Sequence, residues 1–215
     1  MTPPGTHDPA AKPRVVGLTG GIASGKTTVS TLLAQRGAYI VDADAIGHQV
    51  ILPDGEAYPE VVAAFGPEIL EEDGTISRRK LGAIVFAEPA RLAELNAISH
   101  PRMGERMARV IKSLRRREPD ERPPLIVLDA AILFEAAWDT LCDEVWTVES
   151  PPDTAIERLV ERNRMTRQEA LSRLDAQISN EERARRAHRI IRNEGSLEAL
   201  ADTVARLWEA ITRDD

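Results

Sequence analysis

Residues Gly20-Gly-Ile-Ala-Ser-Gly-Lys-Thr27 fit the spacing G-x-x-x-x-G-K-[ST]. Glycines at the first and sixth places let backbone N–H groups turn inward onto phosphate oxygens, and a helix that begins at once presents its positive end to them. Lys26 is placed to reach the outer phosphates of a nucleotide, and the Thr27 hydroxyl to ligate Mg2+. The predicted cradle is therefore Gly20, Gly21, Ile22, Ala23, Ser24, Gly25, Lys26, Thr27 and Thr28. A glycine-rich turn with an accidental lysine would share this composition. Here the apolar strand "RVVGLT" (14–19) leads into the loop and a helical pattern leaves it at Lys26, so both flanks fall where the motif demands.

A phosphate cradle does not say where the phosphate goes. A regulatory GTPase would read guanine with N-K-x-D, and the chain contains no Asn-Lys pair. A small-molecule kinase needs a base near the acceptor hydroxyl, cations for the transferring group and a lid against water. In "VDAD" (41–44), Asp42 and Asp44 lie two apart at the end of an expected strand, so they project to one side, and either could orient or deprotonate an acceptor. Both could instead cap the helix "AIGHQV". In "DTAIERLVERNR" (153–164) an apolar stripe of Ala155, Ile156, Leu159 and Val160 leaves Arg158 and Arg162 one turn apart, able to grip a phosphoryl group. The interleaved Glu157 and Glu161 equally allow a solvated, salt-bridged face. Asp129 closes the apolar run "LIVLD", either as a Mg2+ ligand or as a cap on the next segment.

The elements that must position these groups alternate along the chain. Strands are expected at 14–19, 38–44, 125–134, 143–150 and 188–195, with helical patterns between them. Residues 51–115 read as helical, broken by "LPDG", "EEDG" and "AEP", and "RRREPDERPP" (115–124) as a charged linker. The last helix starts at Ser196 as N-cap, with Leu197, Leu200, Val204, Leu207 and Ile211 on one stripe. This order implies an α/β fold of the P-loop kinase type, three αβα layers around a five-stranded parallel sheet with two helical insertions. The expected core comprises 14–50, 125–150 and 188–213. The insertions are a helical domain at 51–124 and a lid at 151–187, and residues 1–13 form a proline-bearing leader expected to be disordered.

Composition narrows the partners. The segment 156–192 carries ten arginines against six carboxylates and no lysine, about +4, leaving −11 on the rest of a chain whose net charge is −7. An acidic protein with one arginine-rich segment suits a local anion site, not a nucleic-acid surface. No apolar run reaches the roughly 18 residues of a membrane helix. Cys142 is the sole cysteine, which excludes an internal disulfide and points to a reducing cytoplasm and a small apolar packing role. Oligomeric state is open, with a monomer expected. Two other readings remain at this level: a kinase for another small acceptor such as a nucleoside monophosphate, and an ATP-binding switch that docks an anionic partner on its arginines.

Five blocks in order resemble the dephospho-CoA kinase family. They are "VVGLTGGIASGKTTV", "VDADAIGHQV", "DGTISRRKLGAIVFAEP" with "ISHP", "LDAAILFE", and "RLVERNRMTRQEA" running on to "RIIRNEGS". The resemblance covers about Val15 to Leu207. It implies transfer of the γ-phosphate of ATP to the ribose 3′-hydroxyl of dephospho-CoA, with Mg2+, the final step of coenzyme A synthesis. By position it makes Asp44 the general base, Lys26 and Thr27 the phosphate and magnesium residues, and Arg158 the lid arginine, with Arg162 beside it. It makes 51–124 the flap for the CoA moiety, with Arg78, Arg79 and His100 as substrate contacts. From pattern alone, the two arginines are equally a solvated charge run and His100 a turn residue held by Pro101. The chain departs from the family pattern at Ala23 (often glycine), Thr27 (often serine), Ala131 (often proline), and at His188 and Arg192, where aspartates are expected. The last two put the details of adenine binding in doubt.

Overall fold

The structure, a computed structural model, describes residues 12–175 and 177–213. The expected leader lies almost wholly outside the described residues. The described residues divide into two compact units, one of them 42–110 and the other the residues on either side of that stretch.

The first unit is built on a five-stranded sheet in the order β2-β3-β1-β4-β5. Its strands are β1 (Arg14–Gly20), β2 (Tyr39–Asp42), β3 (Leu125–Asp129), β4 (Glu144–Glu149) and β5 (Arg189–Arg192). β3 and β4 run parallel to β1 on either side, and β5 runs parallel to β4. The three central strands are buried along nearly their whole length because helices and loops cover both faces. Val15, Val16, Leu18 and Leu125–Leu128 are fully buried. On one face, α1 (Lys26–Ala34) sets Val29 and Leu33, and α9 (Leu197–Arg213) sets Leu200, Val204 and Ile211, against Leu18, Val127 and Trp146. Ser196 caps α9, its Oγ accepting from Ala199 N at 3.2 Å. Of the expected α9 stripe, Leu200, Val204 and Ile211 are buried and Leu207 partly so, while Leu197 at its start is 64% exposed.

On β1, a Cβ at Gly17 would come within 2.7 Å of Cys142 Sγ and 2.8 Å of Leu133. The glycine lets that thiol pack on the strand, and burial, reinforced by Asp139 and Asp143, pushes its pKa up to about 12. Cys142 is a packing residue, as expected.

Three short helices follow β4: α6 (Pro152–Asn163), α7 (Arg167–Asp175) and α8 (Asn180–Arg186). Ile156, Leu159 and Ala170 form a small core that also holds Ile22 and Ala23 of the glycine loop. These helices coincide with the expected lid.

The second unit holds α2 (Ala43–Val50), α3 (Tyr58–Phe65), α4 (Arg78–Ala87) and most of α5 (Pro89–Arg115). Val61, Phe65, Ile69, Leu81 and Met107 are among its buried residues. Its limits differ from the expected 51–124. α2 groups with this unit, while residues 111–124 group with the sheet. Pro101 lies inside α5, which continues through it. His100 therefore sits in a helix and not in a turn.

Of the two readings open for Asp42 and Asp44, Asp42 takes the capping one, while Asp44 lies neither at a strand end nor at a cap. The strand ends at Asp42, whose Oδ1 accepts from the backbone N–H groups of Asp44 (2.8 Å) and Ala45 (3.1 Å). Asp42 is an N-cap, and Asp44 lies in the first turn of α2. β3 stops at Asp129 and β5 at Arg192, both short of the expected 134 and 195.

Glu144, nearly buried at the start of β4, accepts from Trp146 Nε1 (2.9 Å), Arg189 Nε (2.8 Å) and Arg14 Nη2 (3.3 Å). Burial alone would raise its pKa, but these partners hold it below the ordinary carboxylate value. A carboxylate depressed in the folded state stabilises above its unfolded pKa and loses that contribution as pH falls through the folded one. Glu144→Gln is therefore expected to cost about 1–3 kcal/mol at pH 7, shrinking toward zero below about pH 4. Urea unfolding of both proteins across that range checks it, and a pH-independent difference would refute the charge-based account.

Candidate functional site

The glycine loop connects β1 to α1 at the carboxyl end of the sheet, where open parallel sheets bind ligands. Its backbone requires the sequence it has. A Cβ at Gly20 would meet Val148 O at 2.6 Å, and Gly25 adopts φ +97° with its missing Cβ only 2.2 Å from Asn193 Nδ2. Ala23 also occupies the left-handed region, at φ 58°. Glycine takes that conformation freely and alanine only at a cost, so the alanine at 23 carries backbone strain that a glycine would not.

The loop opens onto a cavity of about 830 Å3, lined by Gly20–Thr28 together with Ala131, Arg158, Leu159, Glu161, Arg162, Gln177, Asn193, Gly195, Leu197 and Leu200. All nine predicted cradle residues line it. Lys26 Nζ forms an ion pair with Asp129 Oδ1, both side chains mostly buried. A buried ammonium and carboxylate need each other, since either alone in a dry site is costly. Asp129 thus touches the cradle directly and does not simply cap the next segment.

Arg158 and Arg162 both line the cavity, so this face of α6 is not merely solvated. Their environments differ. Arg162 is exposed, whereas Arg158 is partly buried, its Nη1 donating to Ala23 O at 3.2 Å and Ser150 Oγ at 2.9 Å. Asp44, Arg78 and Arg79 belong to the second unit and are exposed. Arg78 and Arg79 open α4 behind its cap Ser77, with no acidic residue in that first turn. His100 is half-buried on α5, and burial pushes its pKa down.

Several participants are not visible in local pattern. Gln177 Oε1 accepts from Ile22 N at 2.9 Å. Ser150 and Asn193 both bond to Ser24 O. Arg183 on α8 is 2% exposed, with Nη1 3.3 Å from Asn180 Oδ1. Burial lowers its pKa against the opposing charges of Glu135 and Glu149. Ser150 and Asn193 immediately follow β4 and β5, so the rule that parallel sheets bind at their strand ends was the one available signal. His188, one of the departures, accepts from Val145 N through Nδ1 at 3.0 Å, a sheet-edge role.

The donor set suits Mg2+, a hard cation that takes oxygen ligands and commonly brings waters and substrate phosphates with it. The Thr27 hydroxyl and the Asp129 carboxylate could hold it. Among the described residues no three His, Cys, Asp or Glu cluster to hold a metal, so phosphates would have to complete the shell.

Comparison with known proteins places this arrangement. A model of the dephospho-CoA kinase family matches residues 14–199. A dephospho-CoA kinase of Symbiobacterium thermophilum is 44% identical over 197 residues, covering 92% of this chain and 81% of that one. One from Moorella thermoacetica is 41% identical over 199 residues, covering 93% and 92%. The crystal structure of TT1252 from Thermus thermophilus superposes with a TM-score of 0.73 at 32% identity, covering 92% of this chain and 97% of that one. With its glycine loop and parallel sheet, the chain belongs to the dephospho-CoA kinase family.

Proposed function

We propose that this chain transfers the γ-phosphate of ATP to the ribose 3′-hydroxyl of dephospho-CoA, giving CoA and ADP, the last step of coenzyme A synthesis. The observation that carries the reading is the preformed phosphate loop with Lys26 and Asp129 paired beside it, in a chain matched to that family over 14–199.

ATP binds with its phosphates against the amides of Gly20–Thr28, and Lys26 turns part of its charge from Asp129 to the β- and γ-oxygens. Thr27 and Asp129 would hold Mg2+, which would supply neutralisation of phosphate charge. The acceptor O3′ attacks the γ-phosphorus, the bond from that phosphorus to the ADP oxygen breaks, and the hydroxyl proton passes to the Asp44 carboxylate. Arg158 and Arg162 offset the charge on the transferring oxygens, where electrostatic stabilisation is the main catalytic resource.

Arg78 and Arg79 bind phosphate groups of the acceptor. Two cations at the positive end of a helix repel it and each other, and an anion relieves both. His100, uncharged at neutral pH given its lowered pKa, contributes a hydrogen bond and not a charge. The enzyme acts in the cytoplasm as a monomer, without nucleic-acid or membrane partners. Its single cysteine suits a reducing compartment.

ADP release from Mg-ATP, followed with dephospho-CoA or adenosine monophosphate as acceptor, tests the reaction. Stimulation by dephospho-CoA alone is expected. Stimulation by the monophosphate alone would keep the kinase and change its substrate, and stimulation by neither would remove the activity. Asp44→Asn is expected to lower kcat about 100-fold or more with ATP affinity held within twofold, and near-normal turnover would remove Asp44 as base. Arg158→Ala is expected to lower kcat by a comparable factor. Unchanged turnover there would return Arg158 to a purely structural part.

A further inference from the structure

A phosphate cradle works only while its amides face the anion, which requires the carbonyls between them to face away. Two of this loop's carbonyls have side-chain captors. Ala23 O accepts from Arg158 Nη1 at 3.2 Å, and Ser24 O accepts from Asn193 Nδ2 at 2.9 Å and Ser150 Oγ at 3.0 Å. Ser150 Oγ lies a further 3.0 Å from Asn193 O and accepts from Arg158 Nη1 at 2.9 Å. The captors come from the ends of β4 and β5 and from α6.

We propose that Ser150 and Asn193 are positioning residues that set the amide direction of the phosphate loop, and that Ser150 makes this setting depend on the lid through Arg158. Three observations support it. Ser150 and Asn193 are 6% and 8% exposed, so water cannot readily replace a lost bond. Asn193 is itself fixed, its backbone N donating to Glu149 O at 2.7 Å while its amide fills the space a Cβ of Gly25 would need. A hydroxyl carries one proton, so Ser150 divides it between two carbonyls while accepting a charged donor. That donor polarises the hydroxyl and strengthens what it gives. The lid core reinforces the link, since Ile22 and Ala23 pack on the cluster of Ile156, Leu159 and Ala170.

The inference rests on the reading of Gly20–Thr28 as the ATP cradle. Its test is Ser150→Ala, with Ser150→Thr as the variant that keeps the hydroxyl, each measured for Mg-ATP dissociation constant, both Michaelis constants, kcat and melting temperature. Ser150→Ala is expected to weaken ATP binding and raise the ATP KM about tenfold, as loss of one buried hydrogen bond would. The KM for dephospho-CoA should stay within twofold, and Ser150→Thr should lie within threefold of wild type. Combined with Arg158→Ala, the loss of ATP affinity should be less than the product of the two single effects. ATP affinity within twofold of wild type in Ser150→Ala, or equal rises in both Michaelis constants, would overturn the proposal. If that variant does not fold, Asn193→Asp serves in its place, since it keeps the shape but turns an acceptor on Ser24 O. It should weaken ATP binding about tenfold, and unchanged affinity would overturn the proposal as well. Wild-type protein that binds no Mg-ATP would instead overturn the cradle reading itself.

Discussion

Everything else in the site depends on one backbone constraint: the chain between β1 and α1 must curl tightly at the carboxyl end of the sheet. That curl brings Gly20 against Val148 O and Gly25 against the Asn193 amide, with no room for a side chain at either place. It also places Ala23 in the left-handed region. These contacts explain the centre of the sheet. β1 must lie between β3 and β4 so that the loop emerges beside Asp129 on one side and Ser150 on the other. The apolar character of those strands follows from burial on both faces.

Charge is distributed to match. Lys26 and Asp129 neutralise each other in a mostly dry setting, which keeps the lysine in the cradle without leaving an uncompensated buried cation. Arg158 is held by a loop carbonyl and a hydroxyl, whereas Arg162 is exposed at the cavity. The two arginines one turn apart are therefore not equivalent. One is tied to the loop geometry and the other is available to solvent or ligand. The acidic balance of the rest of the chain leaves this arginine-rich segment as a local feature, consistent with a small anionic ligand.

The loop between β1 and α1, the central strands and α6 are legible in the sequence because each is written in local pattern: glycine spacing, apolar runs, and an apolar stripe at helical period. The sequence leaves Asp42 and Asp44 open between two readings because a strand end and a helix start favour the same short polar residues. The Asp42 carboxylate resolved the choice by accepting two amides of α2. The second unit, 42–110, begins and ends earlier than the insertion expected at 51–124. A charged, proline-bearing stretch at 115–124 looks like a boundary, and α2 looks like the sheet's own helix. Ser150 and Asn193 escaped notice because their partner, Ser24, is 126 and 169 residues away. Pairings of that kind are fixed by tertiary packing, and no periodicity carries them.

The central claim is that the phosphate leaves ATP for a second small molecule and not for water. Phosphorus NMR of the protein with Mg-ATP and dephospho-CoA tests it directly. The account predicts one new phosphomonoester, coupled to the ribose H3′, growing in step with loss of the γ-phosphate resonance. Inorganic phosphate growing in its place, with dephospho-CoA unchanged, would contradict it.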